Sequence, residues 1–258
     1  MTIAEIYGKI SSSASNLDER REDQLTGNVF GIMRYISPDR LLWPFLKKAY
    51  FRGSRSLLLE NPHLKEEEDI RFWPWLNGVE PDVLIMLSES ALKKTVIAIE
   101  VKLYSGPSGE HQLLREMQAL SACYKGMRQI LVYLTADVVY PQDTMMENRI
   151  KSNEDGLEFV ELYWLSWNDL PTVVDENMAA AKKNTPEWFI LYDMKNLLER
   201  KGFARFSSIN VPSTATPSPF WACFSRSYVK FGNGRYLYSH LFSDVPRVLS
   251  RQFHFLGG

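Results

Sequence analysis

The sequence has 258 residues, of which 45% are hydrophobic, 24% charged and 13% aromatic, and its formal net charge is −1. These fractions are ordinary for a folded chain, so they exclude extensive disorder and predict one large domain or a core with an extension. A net charge so close to zero is untypical of nucleic-acid binders, which are usually basic.

The first half of the chain alternates predicted helices and strands. Apolar residues recurring at intervals of three and four predict a helix over about residues 18–36, ended by Pro38. A second helix is predicted over about 40–51, and a short strand over 56–60. Two aliphatic strands follow, and the polar loop between them predicts a hairpin; the strands cover 81–87 and 95–103.

Beyond a Gly- and Pro-containing break at 104–109, helices and strands alternate again. The predicted helices cover about 109–124, 167–178 and 186–201, and the predicted strands 129–135 and 159–165. Past Gly202 the sequence changes to Pro/Ser/Thr-rich and aromatic segments with a hairpin-like Gly-Asn-Gly turn. We therefore predict a core over residues 1–201 and a basic, aromatic, β-rich extension over 202–258 that packs on it.

The compartment is predicted from what the sequence lacks. The amino-terminal residues do not form a secretory signal, and no apolar run approaches the roughly 18 residues of a membrane-spanning helix. Two cysteines, Cys123 and Cys223, exclude a disulfide scaffold and a cysteine-rich zinc site, and we expect both to be buried free thiols. A cytoplasmic protein with no membrane partner is expected.

Charged residues interrupt the two aliphatic strands at one end. Pro81-Asp82 opens the first strand and Glu100-Val101-Lys102 closes the second. Because strand side chains alternate, Glu100 and Lys102 share a face, and Val101 points to the opposite, apolar one. Unpaired charges on so apolar a strand are costly, which favours a functional role. If the strands pair, Asp82 and Glu100 converge at one end of the sheet.

Converging carboxylates suit a hard divalent cation such as Mg²⁺, which prefers oxygen ligands and is commonly held by one or two carboxylates plus a substrate phosphate. Lys102 could position or deprotonate the attacking water, or stabilise charge developing on the phosphate. These residues predict metal-assisted hydrolysis of a phosphodiester.

Pro81-Asp82 followed by Glu100-Val101-Lys102 resembles the signature of the PD-(D/E)xK phosphodiesterase superfamily, which has the restriction-endonuclease-like fold. The resemblance covers about residues 18–135. It implies an α/β core with a mixed central sheet flanked by helices, in which a helix precedes a three-stranded antiparallel meander, a further helix and a further strand. Asp82 would lie on the second strand of the meander, and Glu100 and Lys102 on the third.

The resemblance also implies a site and an activity. Asp82 and Glu100 would bind Mg²⁺ or Mn²⁺ with the carbonyl of Val101, Glu22 would bind the metal directly or through water, and Gln112 would orient the site. The implied activity is metal-dependent cleavage of nucleic acid, with DNA the expected substrate. A homodimer is consistent with family members that cut both strands.

Several alternatives stay open at this stage. Glu22 could be a helix-terminal acid favoured by the helix dipole, with Glu19 or Asp23 as the true ligand. Gln112 has a rival in Gln118 on the same helix, and His111 is interpreted as a structural or surface histidine. Asp82 could be a satisfied turn residue, and Glu100 and Lys102 a solvated strand face.

The extension suggests rival functions. Residues 201–258 contain seven Lys or Arg, a single Asp and twelve aromatic residues, a composition that could bind phosphates and stack on bases. It could equally form an aromatic core or a subunit contact. The alternatives to a nuclease are therefore a catalytically silent nucleic-acid binding or sensing module and a protein-assembly subunit. Four tryptophans before the extension are expected in the hydrophobic interior or at subunit contacts rather than as stacking platforms: Trp73, Trp75, Trp164 and Trp167.

Overall fold

The computed structural model describes residues 17–51, 54–55, 57–59, 62–64, 70–88, 93–103 and 111–203, without the side chains of 17–20 and 54–55. The chain divides into two compact units, Met1–Ser207 and Ser208–Gly258. The predicted β-rich extension, apart from Gly202 and Phe203, lies outside the described residues, as does Cys223.

The described residues form an α/β structure. The helices are α1 (Leu17–Met33), α2 (Leu42–Leu46), α3 (Gln112–Cys123), α4 (Gln142–Glu154), α5 (Leu170–Ala180) and α6 (Pro186–Arg200). The strands are β1 (Tyr50–Phe51), β2 (Ser54–Arg55), β3 (Ile70–Phe72), β4 (Val83–Ser88), β5 (Lys94–Lys102), β6 (Arg128–Thr135) and β7 (Val160–Ser166). A short 3₁₀ turn, Trp167–Asp169, leads from β7 into α5.

All seven strands join one mixed open sheet in the order β2-β1-β7-β6-β5-β4-β3. The strands β3, β4 and β5 form an antiparallel meander, with Phe72 opposite Val83 and Val83 opposite Ile99. The strands β5, β6 and β7 are parallel, so they are connected through α3 and α4. Their carboxyl ends meet at one edge, where Lys102 lies beside Thr135 and Thr135 beside Ser166.

Helices cover both faces of the sheet, which explains why its central strands are almost continuously apolar. On one face, side chains of α1, α2, α5 and α6 pack against alternate strand residues in one large core, which includes Ile97, Ile99 and Val101 from β5. On the other face, α3 and Met145 of α4 pack against Val96 and Ala98 in a second core. None of the described helices is long and apolar enough to cross a membrane.

The structure differs from the sequence predictions at several elements. The helix predicted over 40–51 is limited to Leu42–Leu46, because Tyr50 and Phe51 form a strand and pack their rings against Trp164 and Tyr163. The strand predicted over 56–60 is absent at the described residues 57–59, and the first strand of the meander is β3 instead. Helix α4 was not predicted, and Cys123 is exposed rather than buried.

Candidate functional site

The predicted site residues meet at the edge of the sheet where β5 ends and β4 begins. The antiparallel register brings Asp82, directly before β4, next to the carboxyl end of β5. Glu100 and Lys102 project from β5 on the α3 side, whereas Val101 packs in the opposite core. In open α/β sheets, ligands bind outside the carboxyl ends of parallel strands, which is the position of this cluster.

Asp82 is fixed by two hydrogen bonds from different elements. The backbone N–H of Val101 donates to its Oδ2 at 2.8 Å, and the indole Nε1 of Trp73 donates to its Oδ1 at 3.1 Å. Asp82 is buried, and burial together with the nearby Glu100 carboxylate raises its pKa well above the ordinary value. The carboxylate is therefore held between β5 and the residue that follows β3.

Lys102 contacts carboxylates from two elements, β5 and α1. Its Nζ lies 2.6 Å from Glu100 Oε1 and 3.2 Å from Glu22 Oε1, and all three side chains are buried. Glu22, from the first turns of α1, also accepts a 2.8 Å hydrogen bond at Oε2 from the N–H of Leu103. Burial alone would lower the pKa of Lys102, but Glu100 and Glu22 outweigh it and raise that pKa, so the side chain is an ammonium.

Helix α3 adds two polar side chains to the cluster, Gln112 and Glu116, on the side of β5 that carries Glu100. The Gln112 amide Nε2 donates to Glu100 Oε1 at 2.5 Å and to Glu116 Oε1 at 3.2 Å. Glu116 is only 2% exposed and also lies within hydrogen-bonding reach of Glu100. Two buried carboxyl groups in contact favour retention of a proton: burial and the second carboxyl raise the pKa of Glu100 well above normal, and burial raises the pKa of Glu116 to about 7.

In their ionised forms, four carboxyl groups around one ammonium leave excess negative charge among the described residues: Glu22, Asp82, Glu100 and Glu116 around Lys102. In addition, Glu116 Oε2 is buried and has no hydrogen-bond partner. Excess carboxylate oxygens of this kind fit a divalent cation, which would oppose the carboxylate repulsion directly.

A divalent cation bound here would have few protein ligands. Within the described part of the chain, no three His, Cys, Asp or Glu side chains are arranged to hold one metal ion together. Mg²⁺ is usually held by one or two carboxylates and completes its shell with water and phosphate oxygens. Asp82 and Glu100 with the Val101 carbonyl would meet that requirement.

The structure discriminates between several rival residues. The carboxylate of Glu22 is the one that reaches Lys102 and Leu103; the side chain of Glu19 lies outside the described residues. Gln118 bonds Asp155 on the exposed side of α3, whereas Gln112 contacts Glu100. His111 is exposed, with its Nδ1 2.9 Å from Lys151 Nζ, as expected for a surface histidine.

Sequence reasoning missed two members of the cluster. Glu116 had a detectable signal, since it lies four residues after Gln112 and interrupts the apolar stripe formed by Leu113, Met117 and Leu120. Trp73 had none, because its contact with Asp82 spans nine positions across an irregular turn. Trp73 was expected in the core or at a subunit contact; it lies in the core, and its hydrogen bond to the site was not predicted.

Comparisons with known proteins identify no family for this chain. No protein-family model, no curated protein and no solved structure matches the chain. The function must therefore be argued from the site itself.

Proposed function

We propose that this protein hydrolyses phosphodiester bonds of nucleic acid with the help of Mg²⁺ or Mn²⁺, and that its substrate is DNA. The observation that carries the proposal is a buried ammonium, Lys102, held 2.6 Å from Glu100 in a carboxylate cluster that includes Asp82 at the carboxyl edge of the sheet. A single ion pair could be structural, but an excess of buried carboxylates around it is costly without a cation.

Each residue has a role that follows from its contacts. A divalent cation held by Asp82, Glu100 and the Val101 carbonyl would polarise the phosphoryl group. Lys102, protonated and buried, would donate to the phosphate and stabilise the charge that develops on it, instead of removing a proton. Glu22 fixes the Lys102 ammonium, and Gln112 fixes the Glu100 carboxylate, through the hydrogen bonds described above.

The order of the elements supports the same proposal. The superfamily resemblance implies a helix, an antiparallel meander, a further helix and a further strand; the chain has α1, then β3-β4-β5, then α3 and the parallel strand β6. Glu22 and Glu100 lie on the corresponding helix and strand, and Asp82 directly precedes β4, the second strand of the meander. An arrangement of fold order and site residues together is more specific than either short motif.

The test is cleavage of nucleic acid by the purified chain. Supercoiled plasmid, single-stranded DNA and RNA are each incubated with Mg²⁺ or Mn²⁺, using wild type, Lys102→Ala and Lys94→Ala. Lys94 is a matched control, because it is an exposed lysine at the opposite end of the same strand. We expect Lys102→Ala to lower the cleavage rate by about 10²- to 10³-fold, the usual effect of removing one electrostatic stabiliser, and Lys94→Ala to leave it unchanged.

Two results would contradict the proposal. One is the absence of cleavage of all three substrates by wild type with either cation. The other is equal cleavage by wild type and Lys102→Ala. Binding without cleavage would favour the silent nucleic-acid module, and stable association with a protein partner without nucleic-acid binding would favour the assembly subunit.

A further inference from the structure

Trp75 differs from the other tryptophans near the site in its exposure. Its side chain is 72% exposed, whereas Trp73, Trp164 and Trp167 are buried in the two cores. A large aromatic surface left in water forgoes the stabilisation that its burial would give, and tryptophan is enriched at binding interfaces. This exposure contradicts the predicted core position of Trp75, whereas the predicted subunit contact stays a prediction.

The turn that carries Trp75 is rigid. Leu76 and Val79 exchange two backbone hydrogen bonds, of 2.8 and 2.9 Å, around Asn77 and Gly78. The φ values of Asn77 and Gly78, +43° and +91°, are those of the tight type I′ hairpin that an Asn-Gly pair favours. Leu76 and Val79 also pack against the α3-side core. Trp75 is therefore presented to solvent by a fixed backbone.

The same turn belongs to the candidate site. The backbone N–H of Trp73 donates to the carbonyl of Asp82 at 3.0 Å, and its indole donates to the Asp82 carboxylate. Trp75 follows two residues later, so its Cα lies at most about 7 Å from that of Trp73. The exposed indole is thus carried by the same short segment whose Trp73 contacts Asp82.

An indole at this position suits one kind of nucleic acid. Unpaired bases expose a flat π surface that stacks on aromatic side chains without sequence preference, whereas bases inside a duplex already stack on their neighbours. Resting on the proposed function, we propose that Trp75 stacks on an unpaired base next to the phosphate bound at the site, and that the preferred substrates are single-stranded or locally unpaired nucleic acids.

The test measures binding by fluorescence anisotropy with Mn²⁺ present. One labelled oligonucleotide is used as a single strand and as a duplex of the same sequence, and every variant carries Lys102→Ala to suppress cleavage. The variants are Trp75→Ala, Trp75→Phe and the control Tyr35→Ala. Tyr35 is a matched control, because it is 75% exposed but lies beyond Met33, the far end of α1, about 16 Å along the helix from Glu22.

We expect Trp75→Ala to weaken binding of the single strand by about 5- to 100-fold, the range for loss of one stacked base. Trp75→Phe should keep most of the affinity, and Tyr35→Ala all of it; duplex binding should change little. A 2-aminopurine placed in the single strand adds a direct readout. The fluorescence of 2-aminopurine should be quenched by the Lys102→Ala protein that keeps Trp75 and by the Trp75→Phe variant, but not by the Trp75→Ala variant.

Other outcomes overturn the inference in distinguishable ways. Unchanged single-strand affinity in Trp75→Ala, or an equal loss for single strand and duplex, would exclude stacking on an unpaired base while leaving the cleavage assay of wild type intact. A wild-type dimer that Trp75→Ala converts to a monomer would make the indole a subunit contact. If the wild type neither binds nor cleaves nucleic acid, the proposed function fails together with the inference.

Discussion

Glu116 shows how one residue changes the chemistry of the cluster. It places a carboxyl group in the apolar stripe of α3, against Glu100 and Gln112, with one oxygen that has no hydrogen-bond partner. A carboxylate so placed is destabilised by burial more than it is stabilised by its hydrogen bonds, which is why its pKa rises to about 7. The fold therefore tolerates this residue best when it is protonated.

The stability of the protein should consequently depend on pH through Glu116. Between its ordinary pKa of 4.5 and about 7, the folded state keeps a proton that the unfolded state releases, so stability present below pH 4.5 is lost as the pH rises through 7. The loss is at most about 3 kcal/mol at 1.36 kcal/mol per pKa unit. Because Glu116→Gln stays neutral, we expect urea unfolding in EDTA to show a smaller loss between pH 5 and pH 8.

Glu154→Gln is the control for that measurement, since Glu154 is an exposed glutamate on α4. It should reproduce the pH dependence of wild type. Part of the dependence should persist in Glu116→Gln, because the pKa values of Asp82 and Glu100 are also raised. The same pH dependence in Glu116→Gln and wild type would show that Glu116 is charged in the folded protein or is neutralised by another group.

At the scale of the element, long buried strands were easier to predict than short strands or a mostly polar helix. The runs at 81–87 and 95–103 are aliphatic because β4 and β5 are covered on both faces, and the structure confirms both strands and their pairing. Helix α4 is mostly polar and buries only Met145, Asn148 and Ser152, so it lacks the apolar stripe that predicts a helix. Local propensity was overridden at Tyr50 and Phe51, where pairing with β7 ends the predicted helix.

The central strand β6 should dominate the stability of the sheet. Ile130 lies on β6 between β5 and β7, and its side chain is fully buried. Replacing it with alanine removes buried methyl groups and leaves a cavity, so we expect Ile130→Ala to cost about 2–5 kcal/mol in urea unfolding. The control Ile150→Ala, on the exposed side of α4, should cost about 0.5 kcal/mol or less. Equal costs would contradict a core centred on β6.

At the scale of the whole molecule, the net charge of −1 conceals an uneven distribution. Residues 201–258 contain seven Lys or Arg and one Asp, so the remainder of the chain is net acidic and includes the carboxylate cluster. An acidic site repels phosphate until a cation is bound, whereas basic residues attract the backbone and make binding dependent on salt. The near-neutral total therefore does not exclude a nucleic-acid enzyme.

This distribution predicts the salt dependence of binding to single-stranded DNA. Changing four basic residues to glutamine should lower the slope of log K against log salt by up to about 3, at roughly 0.7 per phosphate contact; these residues are Arg226, Lys230, Arg235 and Arg247. A control removes the same charge at four exposed lysines of the first unit, Lys47, Lys94, Lys125 and Lys183. Equal slopes for the two variants would show that attraction is not concentrated in residues 201–258.

The sequence alone predicted Asp82, Glu100 and Lys102 as a cluster and located the two strands beside which they lie. It did so because Asp82, Glu100 and Lys102 interrupt aliphatic runs where charge is costly, and because strand alternation fixes which of them share a face. Only the tertiary structure decided which of the neighbouring candidates reach the cluster. Glu22, Gln112, Glu116 and Trp73 come from separate elements, and their contacts with β4 and β5 depend on how helices and turns pack, which no local pattern encodes.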